Sequence, residues 1–275
     1  TVPLTFGQIF TSFASNIDRD MKRIDMAMQG LTEINLGGTV IGTGINASKT
    51  YQRKVIRYIS TFTGEDFHQA KNLIDATKTV DAFSWLSSAV KTFSSNLHKK
   101  ANDVRLMSSC FNTIAIPNVQ PGSTSNPGKH NPVIPEMVNQ VFFYMEGNDL
   151  TIQHAASEGQ LEFNVNLPII LACLFENLNL IRRAVRTFRE KVIDGLEVIK
   201  SDENIINSDG LITTLIPILG YETCVKASNL SKQHGTNIFD TLIDEEILSE
   251  KEIEALFTKE SITSSGILGQ QKDEK

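Results

Sequence analysis

Apolar residues recur at three- and four-residue steps along most of the chain, the period of helices that bury one face. Ile9, Phe10, Phe13, Ile17, Met21, Ile24 and Met28 form the first such stripe, with Asp18, Arg19, Asp20, Lys22 and Arg23 on its wetter side. The helix is expected to stop near Gly30 or by the Gly37-Gly38 pair. A shorter helix is predicted over 48–63, with Tyr51, Val55, Ile56 and Ile59 inward, and a connection over 64–72. From about Asp75 to Ser109, Val80, Phe83, Leu86, Val90, Phe93, Leu97, Ala101, Val104 and Met107 keep one helical register. At 1.5 Å per residue that helix runs about 50 Å, longer than a small globule is wide. Trp85 and the phenylalanines at this spacing read as core.

Further helices are predicted at about 135–156, 165–195 and 211–234, with Pro168 in a first turn and a kink at Pro217. Ser249 followed by Glu252 spells a capping box at the start of a short helix. The tail from Ser261 is polar, and no internal repeat or strand series interrupts the helical pattern. The expected fold is all-α: a bundle of long helices over residues 1–200, then a small C-terminal helical domain over 201–275.

Two glycine-rich stretches break this pattern. Gly42-Thr43-Gly44-Ile45-Asn46-Ala47 fits the dinucleotide fingerprint G-x-G-x-x-A, but a helix precedes it and no strand–helix alternation follows. We read its glycines as permitting close chain passage between long helices. The second stretch runs from Gly122 to Glu136, where Gly122, Pro127, Gly128, Pro132 and Pro135 exclude a regular helix or strand. Pro132 and Pro135 suit a helix's first turn, whose free N–H groups point back at the loop. Ser123, Thr124, Lys129 and Asn131 are thereby gathered where a carboxylate would be well held.

The run Gly122-Ser123-Thr124-Ser125-Asn126-Pro127-Gly128-Lys129-His130-Asn131-Pro132 resembles the signature loop G-S-S-x-M-P-x-K-x-N of the aspartase/fumarase superfamily. Ser123, Pro127, Lys129 and Asn131 match it, Thr124 keeps the second hydroxyl, and Asn126 stands where methionine is usual. Residues 131–141 resemble aspartases more than fumarases. Glu33–Thr39, Ile41–Gly44, Gly147-Asn148-Asp149 and Glu158-Gly159-Gln160-Leu161 extend the resemblance over nearly the whole chain. The connection 110–121 is shorter than in the family and lacks its Gly-Pro-Arg-x-Gly element.

The resemblance implies elimination of ammonia from L-aspartate to give fumarate, through an enediolate, without an organic cofactor; no metal ligand is assigned. It implies that Ser123 is the base, that Thr124 cradles the substrate, and that Lys129 and Asn131 hold a carboxylate. Glu136 would orient a histidine that the family carries just before the counterpart of Thr1-Val2-Pro3. The chain starts at Thr1 without methionine and reads as processed, excised or incomplete, with the family's N-terminal domain absent. The resemblance also implies a homotetramer with sites built from three subunits. Two alternatives stay open: a truncated, inactive chain acting as a helical oligomerisation scaffold, or a fumarate hydratase.

Bulk properties narrow the rest. The chain has 275 residues, 40% hydrophobic and 21% charged, with a net charge of −6. An acidic balance disfavours a nucleic-acid partner. Cys110, Cys173 and Cys224 are odd in number and widely spaced, so neither a disulfide framework nor a zinc site is expected. No run reaches the roughly 20 apolar residues of a membrane span, and a cytoplasmic setting is expected. His68, His98, His130, His154 and His234 are isolated, and the Arg182, Arg183, Arg186, Arg189 stripe reads as a solvated or subunit-facing surface.

Overall fold

A computed structural model describes residues 3–122, 128, 130–199 and 209–270. The chain divides into two compact units, one of residues 13–199 and one of residues 1–12 with 200–275. The first twelve residues therefore cluster with the C-terminal unit, whereas the sequence pattern grouped them with the bundle.

In the larger unit, the first stripe forms α1 (Phe6–Gln29), which enters this unit at Phe13. α2 (Lys49–Thr63) starts at Ser48, whose side chain caps the Tyr51 N–H, and ends at Gly64 in the left-handed conformation. The long register of 75–109 is broken once. α3 (Asp75–Lys78) stops at Thr79, which is extended, and α4 (Asp81–Ser109) begins two residues later. α5 (Val133–Ser157) and α6 (Leu167–Lys191) complete the bundle, with Pro168 in the first turn of α6.

The core lies between α4, α5 and α6. Val90, Leu97, Ala101 and Val104 meet Val138, Met145 and Ile152 from α5 and Ile170, Leu174, Ile181 and Phe188 from α6, all buried. Burying each of the large aliphatic side chains is worth roughly 1.5–3 kcal/mol. The wet face assigned to α1 needs one correction. Asp20 is only 1% exposed, because the stripe Phe13, Ile17, Ile24, Ala27 that turns toward α4 passes through position 20. Trp85 needs another: it is 50% exposed rather than core.

Among the described residues, four strands of two residues each form two small pairs. Glu33–Ile34 (β1) runs parallel to His68–Gln69 (β2), and Ile114–Ala115 (β3) runs antiparallel to Glu197–Val198 (β4). The glycine-rich loop lies beside β1. Gly42 has φ +87°, and a Cβ there would sit 2.3 Å from the Leu73 carbonyl oxygen and the Ile74 nitrogen. Close chain passage is thus the loop's requirement, but the chain it passes is the connection between α2 and α3.

The smaller unit contains α7 (Ile216–Leu219), α8 (Tyr221–His234), α9 (Ile238–Asp244), α10 (Glu250–Leu256) and α11 (Lys259–Thr263). Leu211, Leu215, Ala227, Phe239 and Leu242 centre its apolar core. The helix expected over 211–234 breaks at Gly220 (φ 77°, ψ 158°), a conformation open to glycine. Pro217 sits in the first turn of α7, where its missing N–H costs nothing, so it makes no kink. The Ser249–Glu252 capping box is formed in both directions.

Candidate functional site

Three of the residues assigned to the chemistry, Ser123, Thr124 and Lys129, lie outside the described residues, as does Asn126. Asn131 and Glu136 are described. What positions them is α5: Pro132 is its N-cap residue, Pro135 is buried in its first turn, and Glu136 lies half-buried in that turn. The Pro132 N-cap supplies no side-chain bond to the first-turn N–H groups. Its first-turn donors are largely taken: the Val133 N–H donates to the Asn131 carbonyl at 2.9 Å, the Glu136 N–H to the Pro132 carbonyl at 3.2 Å, and Pro135 has none, so the start of this 25-residue helix favours an anion chiefly through its partial positive charge.

A cavity of about 240 Å³ opens beside this helix start. Asn131 and His130, both exposed, line it with Ser108, Ser109 and Asn112 from the end of α4 and the chain just after it. Ile114, Pro117, Val192 and Ile199 make its apolar wall. That wall is held by β3 and β4 and by the Ile199 N–H donating to the Thr113 carbonyl at 3.0 Å. The segment 110–121, read only as a link, is thus pinned by two-strand pairing to the residues that follow α6. The volume suits a molecule of a few carbons, with polar groups from α4 and the α5 start at one side.

Sequence reasoning missed Ser108, Ser109 and Asn112. The two hydroxyls and the amide gave no periodic signal, and the Ser108 and Ser109 hydroxyls bond back to the Arg105 carbonyl at 3.1 and 2.6 Å. Asn112, at φ 51°, takes the left-handed turn that asparagine tolerates best among side-chain-bearing residues.

The other family-like motifs do structural work in this chain. Asn148 donates to Asn177 at 2.8 Å, and Asn177 donates to the Met145 carbonyl at 3.2 Å, tying α5 to α6. Asp149, next in sequence, faces the other way and accepts from Ser87 at 2.7 Å and Lys91 at 2.6 Å on α4. Tyr144 donates to Glu176 at 3.0 Å, and the bond to that carboxylate holds its hydroxyl pKa above the ordinary tyrosine range.

Cys110, Cys173 and Cys224 are unpaired, and burial pushes the Cys173 and Cys224 thiols up, which makes them inert. Among the described residues no group of three or more His, Cys, Asp or Glu side chains could hold a metal ion. Among them, too, no helix is long and apolar enough to cross a membrane.

Comparison with known proteins bears on the family and the fold. A family model described as lyase matches residues 1–147. The aspartate ammonia-lyase of Helicobacter pylori is 38% identical over 278 residues, covering 99% of this chain and 59% of the relative. That of Bacillus subtilis is 34% identical over 280 residues, covering 100% and 59%. The chain therefore spans about 59% of the length of the curated relatives it matches.

Among solved structures, a fumarate lyase:delta crystallin from Brucella melitensis superposes with a TM-score of 0.85 at 35% identity, over 92% of this chain and 56% of that one. The class II fumarase of Schistosoma mansoni superposes with a TM-score of 0.88 at 28% identity, over 92% and 57%. The all-α bundle is the architecture of these neighbours, and with a family model covering more than half its length the chain belongs to the lyase family, within the aspartase/fumarase superfamily.

Proposed function

We propose that the protein acts as an aspartate ammonia-lyase, converting L-aspartate to fumarate and ammonia in the cytoplasm. One observation carries the reading: the sequence from Gly122 to Pro132 keeps the hydroxyls, lysine and asparagine of the signature and leads directly into the N-terminus of α5, where Asn131 lines a small cavity. The relatives named aspartate ammonia-lyase support it, and the 131–141 segment with Asn35 favours aspartate over a hydratase reaction.

In this reading the Ser123 alkoxide takes the proton from the carbon beside the distal carboxylate of aspartate. The electron pair spreads onto that carboxylate as an enediolate, then returns to form the carbon–carbon double bond as the C–N bond breaks and ammonia leaves. A serine hydroxyl is a weak base near neutrality, so the positive potential of Lys129 and of the α5 N-terminus is what makes the alkoxide accessible. Thr124 and backbone N–H groups receive the charge that grows on the carboxylate, and such donors contribute roughly 10²–10³ each in rate. Lys129 and Asn131 hold a carboxylate, and Glu136 serves to orient the family's active-site histidine, which is not among the residues of this sequence. The bundle of residues 1–200 carries this chemistry, with 201–275 as an accessory domain, in a homotetramer.

A scaffold reading has its own support. Phe143, Tyr144 and Leu150 on α5 and Phe175 on α6 are each more than half exposed, a surface suited to helix association. The rise in fumarate absorbance from L-aspartate separates the two, measured on the chain alone and mixed with the N-terminal segment of a relative. Turnover that Ser123→Ala abolishes while helicity stays intact supports the lyase. No turnover in either mixture leaves an inactive oligomer-forming chain, and turnover that survives Ser123→Ala removes the base assignment.

A further inference from the structure

The chain that leads into the signature loop is gripped where it passes the turn after α6. β3 pairs with β4, and the Ile199 N–H donates to the Thr113 carbonyl at 3.0 Å. Both strands are rooted in the bundle. The Thr113 N–H donates at 2.9 Å to the Met107 carbonyl near the end of α4, and Ile114 and Val192 are each 1% exposed. After β3 the next landmark is Pro117, six residues before Ser123.

Ile114 faces Val198 and Ala115 faces Glu197, so the same register carried two residues further sets Pro117 against Gly195. Pro117 has no N–H with which to extend the ladder. The strands instead meet by contact: a Cβ on Gly195, the last residue of the 3-10 turn Ile193–Gly195, would stand 2.6 Å from Pro117 Cγ. Gly195 is outside the left-handed region, so space and not backbone conformation calls for glycine there. A pyrrolidine ring is closed on its own backbone and cannot swing aside. Any side chain at 195 would therefore push the two strands about 1 Å apart to restore an ordinary carbon–carbon contact. Pro117 lines the cavity beside Asn131, as do Val192 and Ile199 on either side of Gly195.

We propose that Gly195 is a positioning residue for the elimination: against Pro117 it fixes where the chain leaves β3 on its way to Ser123. The proposal rests on the lyase reading and extends it to the turn after α6, which supplies no group to the substrate. Asn131 is tied separately, through the start of α5. The Gly195–Pro117 contact therefore governs the base more than the grip on the carboxylate. A shift of about 1 Å at a reacting group is enough to cost about 10²-fold in rate.

The test compares the full-length chain with Gly195→Ala and with Gly195→Ala/Pro117→Ala. The double variant removes the clashing ring atoms and keeps the Pro117 Cβ, which at 3.9 Å is in ordinary contact. Hydrogen exchange read by mass spectrometry should be about tenfold faster over 113–122 and 195–199 in Gly195→Ala, with α5 and α6 unchanged, and near wild type in the double variant. With the N-terminal segment of a relative added, fumarate formation should show kcat about 10- to 100-fold lower in Gly195→Ala and KM within about threefold, both restored in the double variant. A purely structural role would speed exchange without that selective, reversible loss of kcat. No turnover by the wild type would remove the lyase reading and this proposal with it. Turnover by the wild type with unchanged exchange or unchanged kcat in Gly195→Ala, or a loss the double variant does not recover, would overturn the positioning role alone.

Discussion

Two aspartates are buried on opposite sides of α4, and they are satisfied in different ways. Asp149 lies in the apolar seam between α4 and α5 and touches its cation directly, with Lys91 Nζ at 2.6 Å and the Ser87 hydroxyl at 2.7 Å. Lys91 remains about one-third exposed, so its stem crosses apolar surface while its ammonium reaches the carboxylate near the edge. Asp20 lies in the seam between α1 and α4 and is held by the Asn96 amide at 2.7 Å and by Arg23, one turn along its own helix, at 2.9 Å. The nearby Lys100 is buried, yet it donates to Asn16 and to the Asn96 carbonyl rather than to Asp20. One seam is apolar, with a contact ion pair that bridges two helices. The other is polar at its centre: Asp20 pairs with Arg23 on its own helix and is joined to α4 through the Asn96 amide.

The difference decides what a substitution does. Asp149→Ala would leave Lys91 and Ser87 facing an apolar gap without their acceptor. Breaking one partner of such a pair costs about 3–5 kcal/mol, which urea unfolding would detect as a clear fall in midpoint. A loss below about 1 kcal/mol would mean that Lys91 swings into water and that the pair contributes little, in the manner of surface pairs. Replacing both partners, Lys91→Met with Asp149→Leu, should recover most of that loss and come within about 1–2 kcal/mol of the wild type, because no charge is then left to desolvate. If the double variant is as unstable as the single one, the seam depends on the ion pair itself.

These seams also mark where the sequence stopped being readable. The helices of the bundle were legible because Val90, Leu97 and Val104, or Val138, Met145 and Ile152, repeat at the period of a buried face. Asp20 sits on such a stripe, but its charge assigned it to water; the approach of Asn96 from 76 residues away, with Arg23 one turn along, makes the position habitable. The break between α3 and α4 was hidden because Val80 and Phe83 keep the apolar register across it. There the Thr79 hydroxyl bonds to Asp75, an alternative to continuing the helix. Trp85 has core spacing but faces a cavity, and spacing cannot show whether a neighbour arrives to fill it. The signature loop is the converse case. Its chemistry is written in residue identity, whereas the cavity next to Asn131 depends on the pairing of β3 with β4, two strands of two residues too short for any periodicity.

Lys100 sharpens the comparison through pH. Burial is the dominant influence and lowers its pKa from the usual lysine value of 10.5. Asp20 and Asp103 work against that shift, and Lys99 and Arg19 add to it. The folded value lies below the unfolded one, so between the two the unfolded chain holds a proton that the folded chain has released. Stability from this group therefore rises with pH across that window, and it is lowest where Lys100 is charged in both states. Lys100→Met should gain about 1 kcal/mol at neutral pH by removing the buried charge, and that advantage should shrink as pH rises toward 10.5. Urea midpoints of the two proteins at pH 7, 8, 9 and 10 give the difference directly. An advantage that grows with pH would mean that the ammonium is stabilised by its amides and that the seam resembles the Asp149 pair after all.

A third carboxylate, in the other unit, completes the series with neither burial nor a cation. Glu252 accepts from the Ser249 N–H at 2.8 Å and hydroxyl at 2.7 Å, and the Ser249 hydroxyl accepts in return from the Glu252 N–H. The side-chain bond first, then the backbone bond, holds its pKa below the ordinary glutamate value. Here a depressed folded value means that the contribution is present above the unfolded pKa and disappears as pH falls through the folded one, the reverse of Lys100. Ser249→Ala removes both bonds made by the hydroxyl and should cost about 0.5–1 kcal/mol, read as lost hydrogen-exchange protection in α10 with α4 and α5 unaffected. The same substitution should weaken the acid-side dependence of that protection by more than half, because the hydroxyl bond is the larger cause and only the Ser249 N–H bond remains. If the dependence persists undiminished in the alanine variant, the remaining Ser249 N–H bond is sufficient to hold Glu252, and the hydroxyl serves only to cap the helix.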